Sequence, residues 1–182
     1  MKNMIAIAAP LALITACSGG GSADADGDGE ISGEEAAEEV ANANINITPG
    51  QWENTVQFTE FDIPNMPEEA RGMMQQQMGQ SRTDTSCITP EEAADPEASM
   101  FDDQNDDCSY TDFNMSNGNI LIAGSCTPEG MDGTMTMRME GSYSATEYDM
   151  TMSMNAEGGP MGPMRLGGRV TGRYLGPDCA EG

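Results

Sequence analysis

From Trp52 onward the chain alternates apolar and polar residues at period two, and that pattern limits it to half-buried strands. Met135, Met137, Met139 and Tyr143 alternate with Thr134, Thr136, Arg138, Glu140 and Ser142. Tyr148, Met150, Met152 and Met154 alternate with Asp149, Thr151, Ser153 and Asn155. In a strand, successive side chains point to opposite faces, so each methionine series lies on one face. Trp52, Val56 and Phe58 form a similar strand near the start, and Leu166, Val170 and Tyr174 one near the end, with Arg165, Arg169 and Arg173 on its other side. A further strand ends at Cys87. Helical spacing appears only briefly, over Met66 to Gln80 and after Thr89, where Thr89-Pro90-Glu91-Glu92 forms a capping box with proline at the first helical position. The expectation is a mainly β domain over 48–182: an antiparallel meander sheet of six to seven strands with two short helices.

The sharpest local signal is Asn117-Gly118 between two strand-like runs. Type I′ hairpin turns need positive φ at both central residues, which this dipeptide tolerates. With those two as the loop, Met115 faces Ile120 and Phe113 faces Ile122. Thr111, Phe113 and Met115 then share the core face with Ile120, Ile122 and Cys126.

Five cysteines are present. Cys87, Cys108, Cys126 and Cys179 are separated by 21, 18 and 53 residues with no close pair, which suits two disulfides better than zinc. In the register above Cys126 falls opposite Ser109, which puts Cys108 on the other face unless a bulge intervenes. A Cys108–Cys126 link is therefore disfavoured. Two connectivities remain, of which sequence adjacency favours Cys87–Cys108 with Cys126–Cys179.

The first 16 residues read as an export signal: Lys2, an apolar run from Met4 to Ile14, then Thr15-Ala16. Ile14-Thr15-Ala16-Cys17 resembles the bacterial lipobox, in which the cysteine is lipidated and becomes the mature N-terminus. Residues 17–23 would be a lipidated Gly/Ser tether. The expected address is the cell envelope, anchored by lipid and facing the periplasm. By resemblance to enteric lipoprotein sorting, Ser18 after the lipidated Cys, in place of Asp, leans toward the outer membrane.

Composition narrows the functional classes. The chain carries 31 acidic side chains against 7 basic ones, a formal charge of −24, and no histidine. That charge repels phosphate backbones, which argues against nucleic-acid binding. Without histidine, Ser-His-Asp and Cys-His catalysis are absent, and no carboxylate motif replaces them. The chain reads as a non-catalytic binding or structural module whose partner, beyond the membrane, the residues do not identify.

Two constellations could carry function. The stretch from Asp24 to Glu35 resembles the twelve-residue EF-hand loop, followed by a short helix to about Asn42, the unit spanning 24–43. Asp24, Asp26 and Asp28 occupy positions 1, 3 and 5, and Gly29 the sharp turn at 6. Glu30 offers its carbonyl at 7, Ser32 a water-bridged contact at 9, and Glu35 a bidentate carboxylate at 12. Ile31 stands at position 8, where paired loops make a short β contact, but no second loop is present, so calcium binding should be weak. The acidic run Asp102 to Asp107 could also hold a cation, although a solvated loop accounts for it. The second constellation is the methionines. Thioethers suit Cu(I), so a periplasmic Cu(I)-handling protein is the alternative function, against the simpler reading of period-two methionines as core.

Several segments form a single pattern: Pro49-Gly50-Gln51-Trp52-Glu53, Cys87-Ile88-Thr89-Pro90-Glu91-Glu92-Ala93, Cys108 and Cys126-Thr127. Gly133-Thr134-Met135, Gly141-Ser142-Tyr143, Tyr148 to Met152, Gly168-Arg169-Val170-Thr171-Gly172-Arg173 and Cys179 continue it. In order and spacing they resemble the bacterial domain-of-unknown-function family 3617, over about residues 48–179. The resemblance implies a small exported β-rich domain, often lipoprotein-anchored and methionine-rich, with no established activity.

Overall fold

The computed structural model describes residues 23–96, 108–127, 133–158 and 162–179. The signal sequence, Cys17, the tether up to Ser22 and the acidic run Asp102–Asp107 lie outside the described residues. Among the described residues, seven strands form one antiparallel sheet, accompanied by three short helices. In chain order these are α1 (Gly33–Asn42), β1 (Gly50–Asp62), α2 (Glu68–Met78), β2 (Arg82–Ile88) and α3 (Pro90–Ala94). Then follow β3 (Cys108–Asn114), β4 (Asn119–Cys126), β5 (Gly133–Tyr143), β6 (Glu147–Gly158) and β7 (Met164–Gly176).

The strand order is β2-β1-β7-β6-β5-β4-β3. Strands β3 to β7 form the expected meander, but the first strand pairs with the last. This is the order of an up-and-down barrel opened between β2 and β3, the two free edges. Side chains of Ile88 at one edge and Met115 at the other line a common cavity, so the sheet curls around its apolar face.

Register explains that face. Met139 lies opposite Met152 and Met137 opposite Met154, and Met150 and Val56 flank Val170 on either side. The outer face carries the alternating polar residues, including ion pairs Arg169–Asp149, Arg173–Glu53 and Arg138–Glu140. These are exposed and contribute little each. Glycines on the inner face let the strands curl under large side chains. A β-carbon on Gly172 would run into the ring of Tyr148, which lies across it and donates a 2.6 Å hydrogen bond from its hydroxyl to Asn54 on β1. The methionines of β5 and β6 are half-buried, with Met137, Met139 and Met150 packed against the core.

The Asn117-Gly118 turn forms as expected, with φ of 54° and 75°, and Phe113 faces Ile122. Below that point the expected register is wrong by one residue. Tyr110 pairs with Gly124 and Asp112 with Ala123, leaving Thr111 as a bulge. Tyr110 and Phe113 are three residues apart and would point to opposite faces of a regular strand. The bulge turns both inward, 4% and 5% exposed, in an edge-to-face contact at 5.3 Å. Burying one more aromatic ring is worth about 2 kcal/mol, which outweighs one interrupted ladder position. Thr111, expected in the core, is exposed.

The bulge also brings Cys108 opposite Cys126, and those two are bonded, with α-carbons 4.0 Å apart. The expected pairs Cys87–Cys108 and Cys126–Cys179 are therefore overturned. The second disulfide is Cys87–Cys179, α-carbons 5.5 Å apart. Gln51 has Cys87 on one side and Gly176 on the other, so this bond clamps the end of β2 to the chain leaving β7 across the start of β1.

Sequence separations of 18 and 92 residues give about 3 and 4–5 kcal/mol in the chain-entropy account. Peptide mapping without reduction should find these two links alone. Cys87→Ser with Cys179→Ser should lower the unfolding free energy more than Cys108→Ser with Cys126→Ser, and a smaller loss would contradict the clamp.

Candidate metal centre

Residues 24–32 form a compact loop whose backbone is folded around its own carboxylates. Asp24 accepts from Gly27 N–H at 2.7 Å and from Gly29 N–H at 3.1 Å. Asp26 accepts from Asp28 N–H at 3.1 Å, and Asp28 from Glu30 N–H at 2.9 Å. The turns demand positive φ at Gly27 and Gly29, 77° and 93°, where a β-carbon would be strained. Each aspartate brings a carboxylate oxygen within 4.8 Å of the other two. In water-like surroundings that proximity costs about 1 kcal/mol for each pair of negative charges.

Glu35 closes the loop from the other end. Its Oε1 accepts from Ala25 N–H at 2.9 Å, and its Oε2 accepts from the N–H and hydroxyl of Ser32, both at 2.9 Å. The Ser32 hydroxyl in turn accepts from Glu35 N–H, completing a capping box at the start of α1. Donation from the Ser32 backbone, then from Ala25, holds the Glu35 carboxyl below its ordinary range. The donor set is oxygen only, the chemistry of a hard cation such as calcium. Of the six residues singled out in the sequence, Asp24, Asp26 and Asp28 converge, and Glu35 is tied to the loop's second residue. Glu30 and Ser32 are exposed, and Ser32 acts as the helix cap.

The loop is bound to the sheet. Ile31 N–H donates to the Tyr110 carbonyl at 2.8 Å, and Tyr110 N–H donates to the Ile31 carbonyl at 2.9 Å. The missing second loop is replaced by the edge strand β3. Behind the bridge, Ile31, Ala36 and Val40 are 5%, 0% and 1% exposed and join one core with Tyr110, Phe113, Met115, Ile120 and Ile122. An apolar residue at position 8 was the visible signal; its partner was not, because nothing near it in the chain names Tyr110. The segment Asn44 to Thr48, between α1 and β1, places Ile45 and Ile47 in the wall of a cavity.

The family described as "Protein of unknown function (DUF3617)" matches residues 47–179. The chain belongs to the DUF3617 family. Comparison with curated proteins gives no match, and neither does comparison with solved structures. The DUF3617 domain thus begins just before β1, as the resemblance implied, and the loop with α1 is a preceding segment docked on its edge.

Val40→Ala should cost about 2 kcal/mol of global unfolding free energy, because Val40 sits in the core shared with the sheet. A change under about 0.5 kcal/mol in urea unfolding would mean the helix is not part of that core. Acid should weaken the fold in a defined window. Glu35 and Glu92 are held low by N–H donors, and Glu53 and Asp149 by arginine partners. A depressed folded pKa gives stability that is present above the unfolded value, about 4, and is lost as pH falls through the folded value. Stability should hold from neutrality to about pH 5 and decline below about pH 4, less steeply in Glu35→Gln.

Proposed function

We propose that this DUF3617 protein is a non-catalytic, lipid-anchored module of the bacterial envelope, carrying an EF-hand-like loop that takes calcium against the sheet edge. The observation that carries the reading is the coincidence of two features in one loop. Three aspartates at alternate positions converge, and the residue at position 8 makes the short β contact of paired loops, here with Tyr110. A cation at that point would relieve the carboxylate repulsion and draw on oxygens from Asp24, Asp26, Asp28 and Glu35. Anchoring follows from the lipobox reading at Cys17, six residues before Ala23. Six residues reach at most about 20 Å, so the loop would face the bilayer surface closely. The absence of histidine and of any catalytic carboxylate motif supports a binding role over an enzymatic one.

Two experiments test the reading. Calorimetry should show calcium binding in the range of about 10⁻⁴–10⁻³ M, and millimolar calcium should raise Tm by roughly 3–6 °C. Asp24→Ala and Glu35→Ala should abolish both effects, whereas Glu34→Ala should leave them. No heat, or heat that survives Glu35→Ala, contradicts the site. Mass spectrometry of the membrane fraction should show a chain beginning at acylated Cys17, and Cys17→Ser should leave it unacylated. A soluble mature form starting elsewhere would rule out the anchor.

A further inference from the structure

At the end of the curled sheet formed by the β3–β4 and β5–β6 turns lies a cavity of about 320 Å³, open to solvent. Trp52, Tyr143 and Tyr148 line it, with Ile45 and Ile47 from the segment before β1 and Ile88 from the end of β2. The rings of Trp52 and Tyr148 stack at 6.1 Å. Each polar end of these aromatics is already engaged within the protein. The indole N–H of Trp52 donates to the Thr48 carbonyl at 2.9 Å, and the Tyr143 hydroxyl to the Met115 carbonyl at 2.7 Å. The Tyr148 hydroxyl donates to Asn54. Ser144 is likewise turned to its own loop, donating to the Glu147 carbonyl and accepting from the N–H groups of Thr146 and Glu147.

The wall therefore presents ring surface and hydrocarbon, with its side-chain donors spent elsewhere. Glu92, in the first turn of α3, is the one charged residue lining the cavity among the described residues. Donation from Thr89 N–H holds its carboxyl below the ordinary range, so it stays ionised at neutral pH. The chain as a whole carries a formal charge of −24, a field that concentrates cations and repels anionic amphiphiles. Inward of the mouth, Met150 leads along β6 to the half-buried Met152 and Met154. Thioether side chains reshape easily around hydrocarbon of varied outline.

We propose that this cavity binds an amphiphilic cation, its quaternary ammonium or amine head between the rings of Tyr143 and Tyr148 and Glu92 and its apolar tail along the methionine face. An onium head needs no hydrogen-bond donor from the wall, and the rings of the half-buried Tyr143 and Tyr148 attract it through their quadrupoles, while Trp52, 2% exposed, packs against Tyr148 as part of the same wall. A neutral apolar ligand would leave Glu92 without effect, and a carboxylate or phosphate head would meet repulsion. The site makes no use of the calcium loop, so failure of either proposal leaves the other standing.

The test uses the full chain carrying Cys17→Ser, which stays unacylated, at about 0.15 M salt to screen surface attraction. Trp52 is the sole tryptophan, so its emission reports directly from the cavity wall. Hexyltrimethylammonium, 1-hexanol and hexanoate are compared by fluorescence titration and calorimetry. The cation should bind saturably, one per chain, with a Trp52 response, and about five- to tenfold more tightly than hexanol. Hexanoate should bind more weakly still. Glu92→Gln keeps the helix cap, since glutamine serves at that capping-box position, and should reduce the preference to about threefold or less while the chain stays folded by circular dichroism. Equal binding of hexanol, a preference untouched by Glu92→Gln, unsaturable uptake at many sites, or no Trp52 response would each overturn the proposal.

Discussion

A seven-stranded sheet that curls without closing leaves two edges and an inner apolar face to protect. At β3 both needs are met by one contact. The pair of hydrogen bonds between Ile31 and Tyr110 satisfies the edge strand and carries in with it a helix whose Ala36 and Val40 seal the inner face over Phe113, Met115 and Ile122. The bulge at Thr111 belongs to the same arrangement. It turns Tyr110 inward, where its ring meets Ile31 and Phe113 in the shared core, and it sets the register that aligns Cys108 with Cys126. Loop, helix, bulge and disulfide depend on one backbone contact. At the other edge, protection is covalent: Cys87–Cys179 ties β2 to the end of the chain's last strand.

The inner face is built by exchange of volume across strands. Gly141 lies between Ile120 and Met150, Gly168 between Phe58 and Met152, and Gly172 between Asn54 and Tyr148. Gly172 admits the ring of Tyr148, while at Gly141 and Gly168 a β-carbon would meet the backbone of the neighbouring strand, so these glycines let the strands approach where uniform β-branched residues would not. Methionine fills the rest, and the half-exposure of Met150, Met152 and Met154 leaves a pliable surface leading from the aromatic mouth. Curvature, cavity and methionine content are thus one property of the sequence.

Much of the strand content was legible because it depends on local periodicity: the methionine strands, the Asn117-Gly118 turn and the Thr89 capping box all appear where the residues place them. What failed depends on a single residue or on distant partners. One bulge reverses the face of every residue beyond it, and the only hints were two large aromatics at odd spacing, Tyr110 and Phe113, with Gly124 across from them. The disulfide pairing was inferred from that register and fell with it. The pairing of β1 with β7 brings together residues about 120 apart, such as Glu53 and Arg173, and no local pattern encodes that. In the loop from Asp24 to Ser32, the alternate aspartates and Gly29 were readable, whereas the role of β3 as the loop's partner was not.

Amide hydrogen exchange at Ile31 and Tyr110 tests most directly whether the N-terminal loop is a structural part of the sheet. In the full chain both amides should be protected to the level of the β4–β5 ladder, since they open only when the shared core opens. Ile31 exchanging at the rate of an unprotected amide while the β4–β5 ladder stays protected would contradict the account: the loop would then be a tether lying beside an independent domain.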